Sequence, residues 1–208
     1  MKVKICGITR TEDAEFAVNA GADAIGIVNV PESKRFVDLE KAKKIFSHVP
    51  TSLLKFVVST PKNLEDAIKI QKTGATVLQV HNDVTPKLLK KIKEKTKLRV
   101  VKQIAVDEKC FEKIKKYENL VDMFLLDTRV QGEFGGTGKT HDWSISSETV
   151  KKTKKPVILA GGLNLENVAD AIKKVKPYMV DVASGVEKTP GIKDKEKVAR
   201  FIKNAKSA

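Results

Sequence analysis

The stretch KVKICGITRTEDAEFAVNAGADAIGIV, Lys2 to Val28, holds one complete unit of the fold. KVKIC is a short β-branched run, TEDAEFAVNAGA sets Phe16, Ala17 and Ala20 on one face of a helix, and AIGIV returns to strand composition. Thr11 stands where an N-cap belongs and Gly21 where the helix should end. A strand, a helix and a second strand in so few residues form a crossover, and a crossover makes its two strands parallel.

The same unit recurs along the chain. Strand-like runs begin near Lys2, Ala24, Leu53, Thr76, Arg99, Asp122, Pro156 and Tyr178, with helical periodicity between them, as in NLEDAIKIQKTGA (Leu64, Ala67, Ile68) and NLENVADAIKKV (Val168, Ala171, Ile172, Val175). Asn63 and Asn164 occupy cap positions, and Gly74 closes the third helix. Eight such units predict one α/β domain over residues 1–208, a single (β/α)8 barrel, near the short end of the usual size. The spacings between strand starts are 22, 29, 23, 23, 23, 34 and 22 residues. The surplus follows strands 2 and 6, in NVPESKRFVD (29–38) and TRVQGEFGGTGKTHDW (128–143), at the face where barrel enzymes build their sites.

Composition narrows the functional classes. The 208 residues include forty Lys and Arg against twenty-six Asp and Glu, a formal charge of +14. The lysines spread over helix-like segments such as KLLKKIKEKTK (87–97), with no interleaved aromatic set for base stacking, so solvated helix faces explain them better than a nucleic-acid surface. No run has the length of a membrane helix and no signal-peptide pattern opens the chain, so a cytoplasmic protein is expected. Cys6 and Cys110, with His48, His81 and His141, are too scattered for a metal site or a disulfide framework.

Strand parity then points to chemistry. With Val3 and Ile5 facing the helices, Lys4 and Cys6 face the barrel interior. The same count turns Lys55, Gln79, Lys102, Asp127 and Asp181 inward. Unpaired charges are costly there, so Lys4, Lys55 and Lys102 are expected to pair with carboxylates such as Asp127 or Asp181. Taken alone, Cys6 reads as an inert buried thiol. Its place at the end of a barrel strand, before Gly7, shifts the reading toward catalysis. AGGL (160–163) and ASGVE (183–187) follow strands 7 and 8, where barrels commonly bind phosphate through backbone N–H groups. GGTGKT (135–140) lacks the spacing of a nucleotide-binding loop and reads as a loop that closes over substrate.

Together, KICGIT (4–9), QVHN (79–82), LLDT (125–128), GGTGKTHDW (135–143), ILAGGLNLENV (158–168) and DVASGVEKTPGIKD (181–194) resemble the phosphoribosylanthranilate isomerase family, in order and over nearly the whole chain. Val80, Asn82, His141 and Ala183 stand where the family usually has Leu, Gly, Phe and Ser. The resemblance implies an Amadori rearrangement of N-(5-phosphoribosyl)anthranilate in tryptophan biosynthesis, with no cofactor and no metal. It implies Asp127 as general acid and Cys6 as general base. Arg35 would grip the anthranilate carboxylate, and Gly161, Gly162, Ser184 and Gly185 would cradle the phosphate. Asp181 is a candidate for a sugar hydroxyl, with Lys4, Gln79 and His81 shaping the site. The acid needs a raised pKa, which neighbours such as Leu125 and Met123 would supply; the thiol would ionise near neutrality beside Lys4. The positive charge would help capture a small anionic phosphosugar-anthranilate substrate.

Other readings stay open at this stage. A different phosphoribosyl-type isomerase on the same barrel is the nearest, although the histidine-pathway enzyme resembles a two-aspartate pattern that Cys6 does not fit. A basic nucleic-acid-binding module without catalysis would show salt-sensitive oligonucleotide binding. The sequence does not distinguish a monomer from a dimer.

Overall fold

The computed structural model describes residues 1–81, 84–128 and 140–208. Eight parallel strands close into a barrel: β1 (Lys2–Ile5), β2 (Ala24–Asn29), β3 (Leu54–Ser59), β4 (Val77–Val80), β5 (Arg99–Val106), β6 (Met123–Thr128), β7 (Val157–Leu159) and β8 (Met179–Val182). β1 pairs with both β2 and β8, which closes the ring. A helix follows each strand: α1 (Thr11–Asn19), α2 (Leu39–Ser47), α3 (Leu64–Lys72), α4 (Pro86–Lys95), α5 (Cys110–Tyr117), α6 (Trp143–Lys152), α7 (Val168–Val175) and α8 (Lys195–Ser207). The expected (β/α)8 barrel is the observed architecture.

Helix starts follow local chemistry, with two departures. Asn63 caps α3 by accepting from the Asp66 N–H, as expected. Thr11 is the first helical residue and Arg10 the N-cap, with no side-chain cap bond. Asn164 sits a turn early; its side chain accepts from the N–H of Glu166 and Asn167, so it folds the entry loop of α7. Beyond β8 the chain adds elements that strand periodicity does not reveal: a 3₁₀ turn (Ser184–Val186) and an antiparallel hairpin, β9 (Glu187–Thr189) with β10 (Ile192–Lys193).

Two separate apolar layers hold the barrel. Outward residues such as Val3, Ile5, Ile27, Val57, Leu78, Val100, Phe124 and Val180 pack under the helices. Inward residues Ala24, Phe56, Val77, Val101, Met123, Leu125, Ile158 and Met179 fill the barrel bottom as a plug. Both faces of each strand are buried, as a parallel sheet wrapped in helices requires.

That double burial misleads the parity count in two strands. Phe56 and Val58 take the inward positions of β3 and Val101 and Gln103 those of β5, which turns Lys55 and Lys102 toward the helix layer. Lys55 Nζ donates to the Phe46 carbonyl of α2 at 3.0 Å, and burial pulls its pKa down. Lys102 Nζ lies 5.7 Å from the centre of the Tyr117 ring on α5 and donates to the Gln103 carbonyl at 3.0 Å. Neither pairs with Asp127 or Asp181, the described carboxylates expected of it. In LLKFVV and RVVKQI apolar residues flank the lysine on both parities, so alternation carries no signal.

Candidate active site

The barrel interior changes from apolar to polar one residue above the plug. Lys4, fully buried, extends from β1 over the Phe56 ring, 4.7 Å from its centre. Its ammonium donates to Gln79 Oε1 at 2.8 Å and Asp181 Oδ2 at 3.1 Å, so the expected carboxylate pairing holds for this lysine. Burial opposes its charge, yet Asp181 and Cys6 together keep its pKa above the usual lysine value. Asp181 Oδ1 is buried without a hydrogen-bond partner while Asp181 lines the cavity above, so one carboxylate oxygen is held and the other is available to a ligand.

Cys6, 6% exposed, directly follows β1, its N–H donating to the Val182 carbonyl of β8 at 2.8 Å. The Cys6 and Lys4 side chains lie across the backbone of Gly26 on β2: a Cβ there would stand 2.8 Å from Cys6 Sγ and 2.9 Å from Lys4 Cε. Burial pushes the thiol pKa up; Lys4 and Lys193 pull it down and Asp181 raises it. The thiol is therefore the resting form at neutral pH, where the sequence pointed to a thiolate beside Lys4. Desolvation outweighs the adjacent cation because that cation already serves Asp181.

Asp127 lines the same cavity from β6. Burial raises its carboxyl to a pKa of about 6, against the Thr128 N–H on Oδ1 at 2.8 Å; Asp181 adds to the rise and Lys4 reduces it. Gln103 Nε2 donates to Oδ2 at 2.9 Å, and Gln103 Oε1 meets His81 Nδ1. Burial lowers the His81 pKa, with Lys102 adding to the fall, so the ring is neutral near pH 7. His141 joins the strand end to α6, with Nδ1 3.3 Å from Thr128 Oγ1 and Nε2 2.7 Å from Ser146 Oγ; burial lowers its pKa to about 4.

The cleft encloses about 760 Å³, open solvent at its mouth included. Cys6, Gln79, His81, Asp127 and Asp181 line its floor at the strand ends, Arg35 lines it from the loop after β2, and Gly161, Gly162 and Ser184 form a wall from the turns after β7 and β8. Gly185 stands behind this wall against the Leu163 carbonyl, and Asn167 Nδ2 fixes the Gly162 carbonyl at 3.0 Å. Lys4 supports the floor from below. Of the glycine-rich segment 135–140, residues 135–139 lie outside the described residues, as does Asn82.

Sequence reading missed three residues here. Gln103 is the inward neighbour of Lys102, hidden by a one-residue parity slip. Glu187 and Lys193 belong to the β9–β10 hairpin, where no barrel parity applies; Glu187 meets Arg35 Nη2 at 2.7 Å and Lys193 Nζ at 2.9 Å. Glu187 and Lys193 both fall inside the recognised motif 181–194, which was their one signal. Among the described residues, no group of three or more His, Cys, Asp and Glu is placed to hold a metal ion, and no helix is long and apolar enough to cross a membrane.

A closed parallel barrel with a polar tier and a glycine-walled cleft at the C-terminal ends of its strands defines the class, a (β/α)8 barrel with its site at the strand C-termini. The family model described as N-(5′-phosphoribosyl)anthranilate isomerase matches residues 3–204. Curated relatives of that name include one from Methanopyrus kandleri, 43% identical over 219 residues, covering 100% of this chain and 99% of the relative. The crystal structure of the Thermotoga maritima enzyme superposes with a TM-score of 0.91 at 38% identity, covering all of both chains. A second solved structure, of phosphoribosyl anthranilate isomerase with reduced 1-(o-carboxyphenylamino)-1-deoxyribulose 5-phosphate, gives 0.87 at 36% identity with full coverage of both chains. The chain belongs to the phosphoribosylanthranilate isomerase family, and its reaction converts N-(5′-phosphoribosyl)anthranilate to 1-(2-carboxyphenylamino)-1-deoxyribulose 5-phosphate in tryptophan biosynthesis.

Proposed function

We propose that Asp127 is the general acid and Cys6 the general base of this isomerisation, in a single barrel domain of the cytoplasm. The observation that carries the assignment is that both line one cleft, from β6 and β1, with the Asp127 carboxyl held at about 6. Protonated Asp127 donates to the furanose ring oxygen as the C1–O bond breaks, leaving a Schiff base between C1 and the anthranilate nitrogen. Cys6 thiolate then takes the proton from C2, the electrons move into the C1–C2 bond and onto nitrogen, and the enolamine tautomerises to the ketone.

The acid and base have inverted pKa values, about 6 for the acid and above the usual thiol value for the base. Between these values the pair carries one proton. It resides mostly on sulfur, and its transfer to Asp127 gives the productive arrangement without any change in net charge. Lys4 assists by holding positive charge beside the sulfur. Gly161, Gly162, Ser184 and Gly185 take the substrate phosphate, Arg35 its aromatic carboxylate and Asp181 Oδ1 a sugar hydroxyl.

The test uses freshly generated phosphoribosylanthranilate, whose fluorescence is lost on turnover. Cys6→Ser and Asp127→Asn should each lose activity by about 10²- to 10⁴-fold with unchanged circular dichroism. Undiminished turnover by either variant would remove that residue from its role.

A further inference from the structure

Glu187 is a buried carboxylate in no proton-transfer step, yet three groups converge on it. Arg35 approaches sideways, its Nε 2.9 Å from Oε1 and its Nη2 2.7 Å from Oε2. Lys193 Nζ donates to Oε1 at 2.9 Å, and the Gly191 N–H reaches the same oxygen at 3.2 Å. The Arg35, Glu187 and Lys193 side chains are 11%, 5% and 1% exposed. Arg35 and Lys193 therefore share one carboxylate, which leaves the guanidinium charge only partly neutralised in a nearly dry place beside the cleft.

The geometry says which edge bears that charge. Glu187 occupies Nε and one Nη2 hydrogen, while Nη1 bonds no described residue and Arg35 lines the cleft. The remaining edge of the guanidinium is a two-donor fork suited to a carboxylate. The stem is also fixed: Arg35 Cδ would lie 2.6 Å from a Cβ on Gly7, whose φ of +72° already disfavours a side chain. Gly7 thus lets the arginine cross directly over the strand end that bears Cys6.

Lys193 makes the second connection. Its ammonium also donates to the Ala183 carbonyl at 3.1 Å, the residue before Ser184 in the glycine-rich wall. The hairpin carrying Glu187 and Lys193 is anchored by the Lys193 N–H on Asp13 Oδ2 at 3.1 Å and by Thr9 Oγ1 on the Gly191 carbonyl at 2.6 Å. One carboxylate therefore lies between the arm of Arg35 and the turn at Ser184, touching both through charge-assisted bonds.

We propose that Glu187 is a specificity-determining positioning residue: it orients Arg35 toward the substrate's aromatic carboxylate and, through Lys193, fixes that anion site relative to the phosphate wall. The site thereby selects a substrate with two anions at one span. This rests on the assignment of Arg35 to the aromatic carboxylate.

The test compares kcat/KM for phosphoribosylanthranilate with that for N-(5-phosphoribosyl)aniline, which lacks the carboxylate. In Glu187→Gln, close in shape but neutral, the preference for the carboxylated substrate should fall about tenfold or more, chiefly through KM. Glu187→Asp, which keeps the charge but shortens the reach, should retain part of the preference, and it carries the test if the glutamine variant does not fold. An equal loss on both substrates, or no change in the preference, would overturn the proposal. Arg35→Met separates the two claims. If it removes the preference while Glu187→Gln does not, the Glu187 role fails and the Arg35 assignment stands; if Arg35→Met leaves the preference intact, the Arg35 assignment itself fails.

Discussion

Lys4 and Lys55 are both buried lysines on neighbouring regions of one barrel, and they do opposite jobs. Lys4 points inward, where Asp181, Gln79 and Cys6 surround its ammonium. Lys55 points outward into the seam under α2, where one backbone carbonyl receives it and burial lowers its pKa. A difference of one residue in strand parity separates a charge held among the polar groups under the cleft from one that caps a helix end. Position in the barrel, and not residue type, decides what a buried cation does.

Breaking the inward member has the largest expected effect. Lys4→Met leaves the Asp181 carboxylate buried without its counter-charge, which should cost about 3–5 kcal/mol of stability in urea unfolding and remove most activity. Gly26→Ala sharpens the same region without touching a charge. The added methyl pushes on Cys6 Sγ and Lys4 Cε, so kcat should drop about 10- to 100-fold for a stability loss of about 1–3 kcal/mol. Lys55→Met should do least: steady-state kinetics within about twofold of wild type and a stability change of about 1 kcal/mol or less in urea unfolding. Equal losses in Lys4→Met and Lys55→Met would erase the distinction between the two regions.

The same distinction governs what could be read in the sequence. β1, β4, β6 and β8 announce their inward faces because Lys4, Gln79, Asp127 and Asp181 interrupt apolar runs on a parity that the polar interior requires. In β3 and β5 the lysine is the interruption, but it belongs to the helix side, and the inward residues around it, Phe56, Val58 and Val101, look no different from outward ones. Gln103 was lost to that slip although it donates to Asp127. The N-terminal caps show the same limit at the scale of one turn: Asn63 sits at its cap, while Asn164 uses the same side-chain chemistry three residues before the cap of α7. The roles of Glu187 and Lys193 were beyond strand and helix periodicity for another reason, although both lie in the motif 181–194. Their partners lie 152 and 10 residues away, on Arg35 and Ala183, and no periodicity links a hairpin to a loop on the far side of the chain.

The ionisation of Cys6 could not be read from neighbouring residue types either, because it is set by a balance. Lys4 beside the thiol favours the thiolate, burial opposes it, and Asp181 both opposes it and occupies the lysine. The inverted order of the Asp127 and Cys6 pKa values follows from that balance, and it gives the proposed acid–base assignment its most direct test.

The measurement is the pH dependence of kcat/KM from pH 5 to 10. Below the Asp127 pKa both groups are protonated and no base exists; above the Cys6 pKa neither holds a proton and no acid exists. Activity should therefore rise with pH through about 6, hold a plateau and fall again above the usual thiol range. Asp127→Asn should lose the rising limb near 6 along with its activity. A profile that falls through pH 6, or a rising limb near 6 that survives in Asp127→Asn, would contradict the assignment of Asp127 and Cys6 as the coupled acid and base.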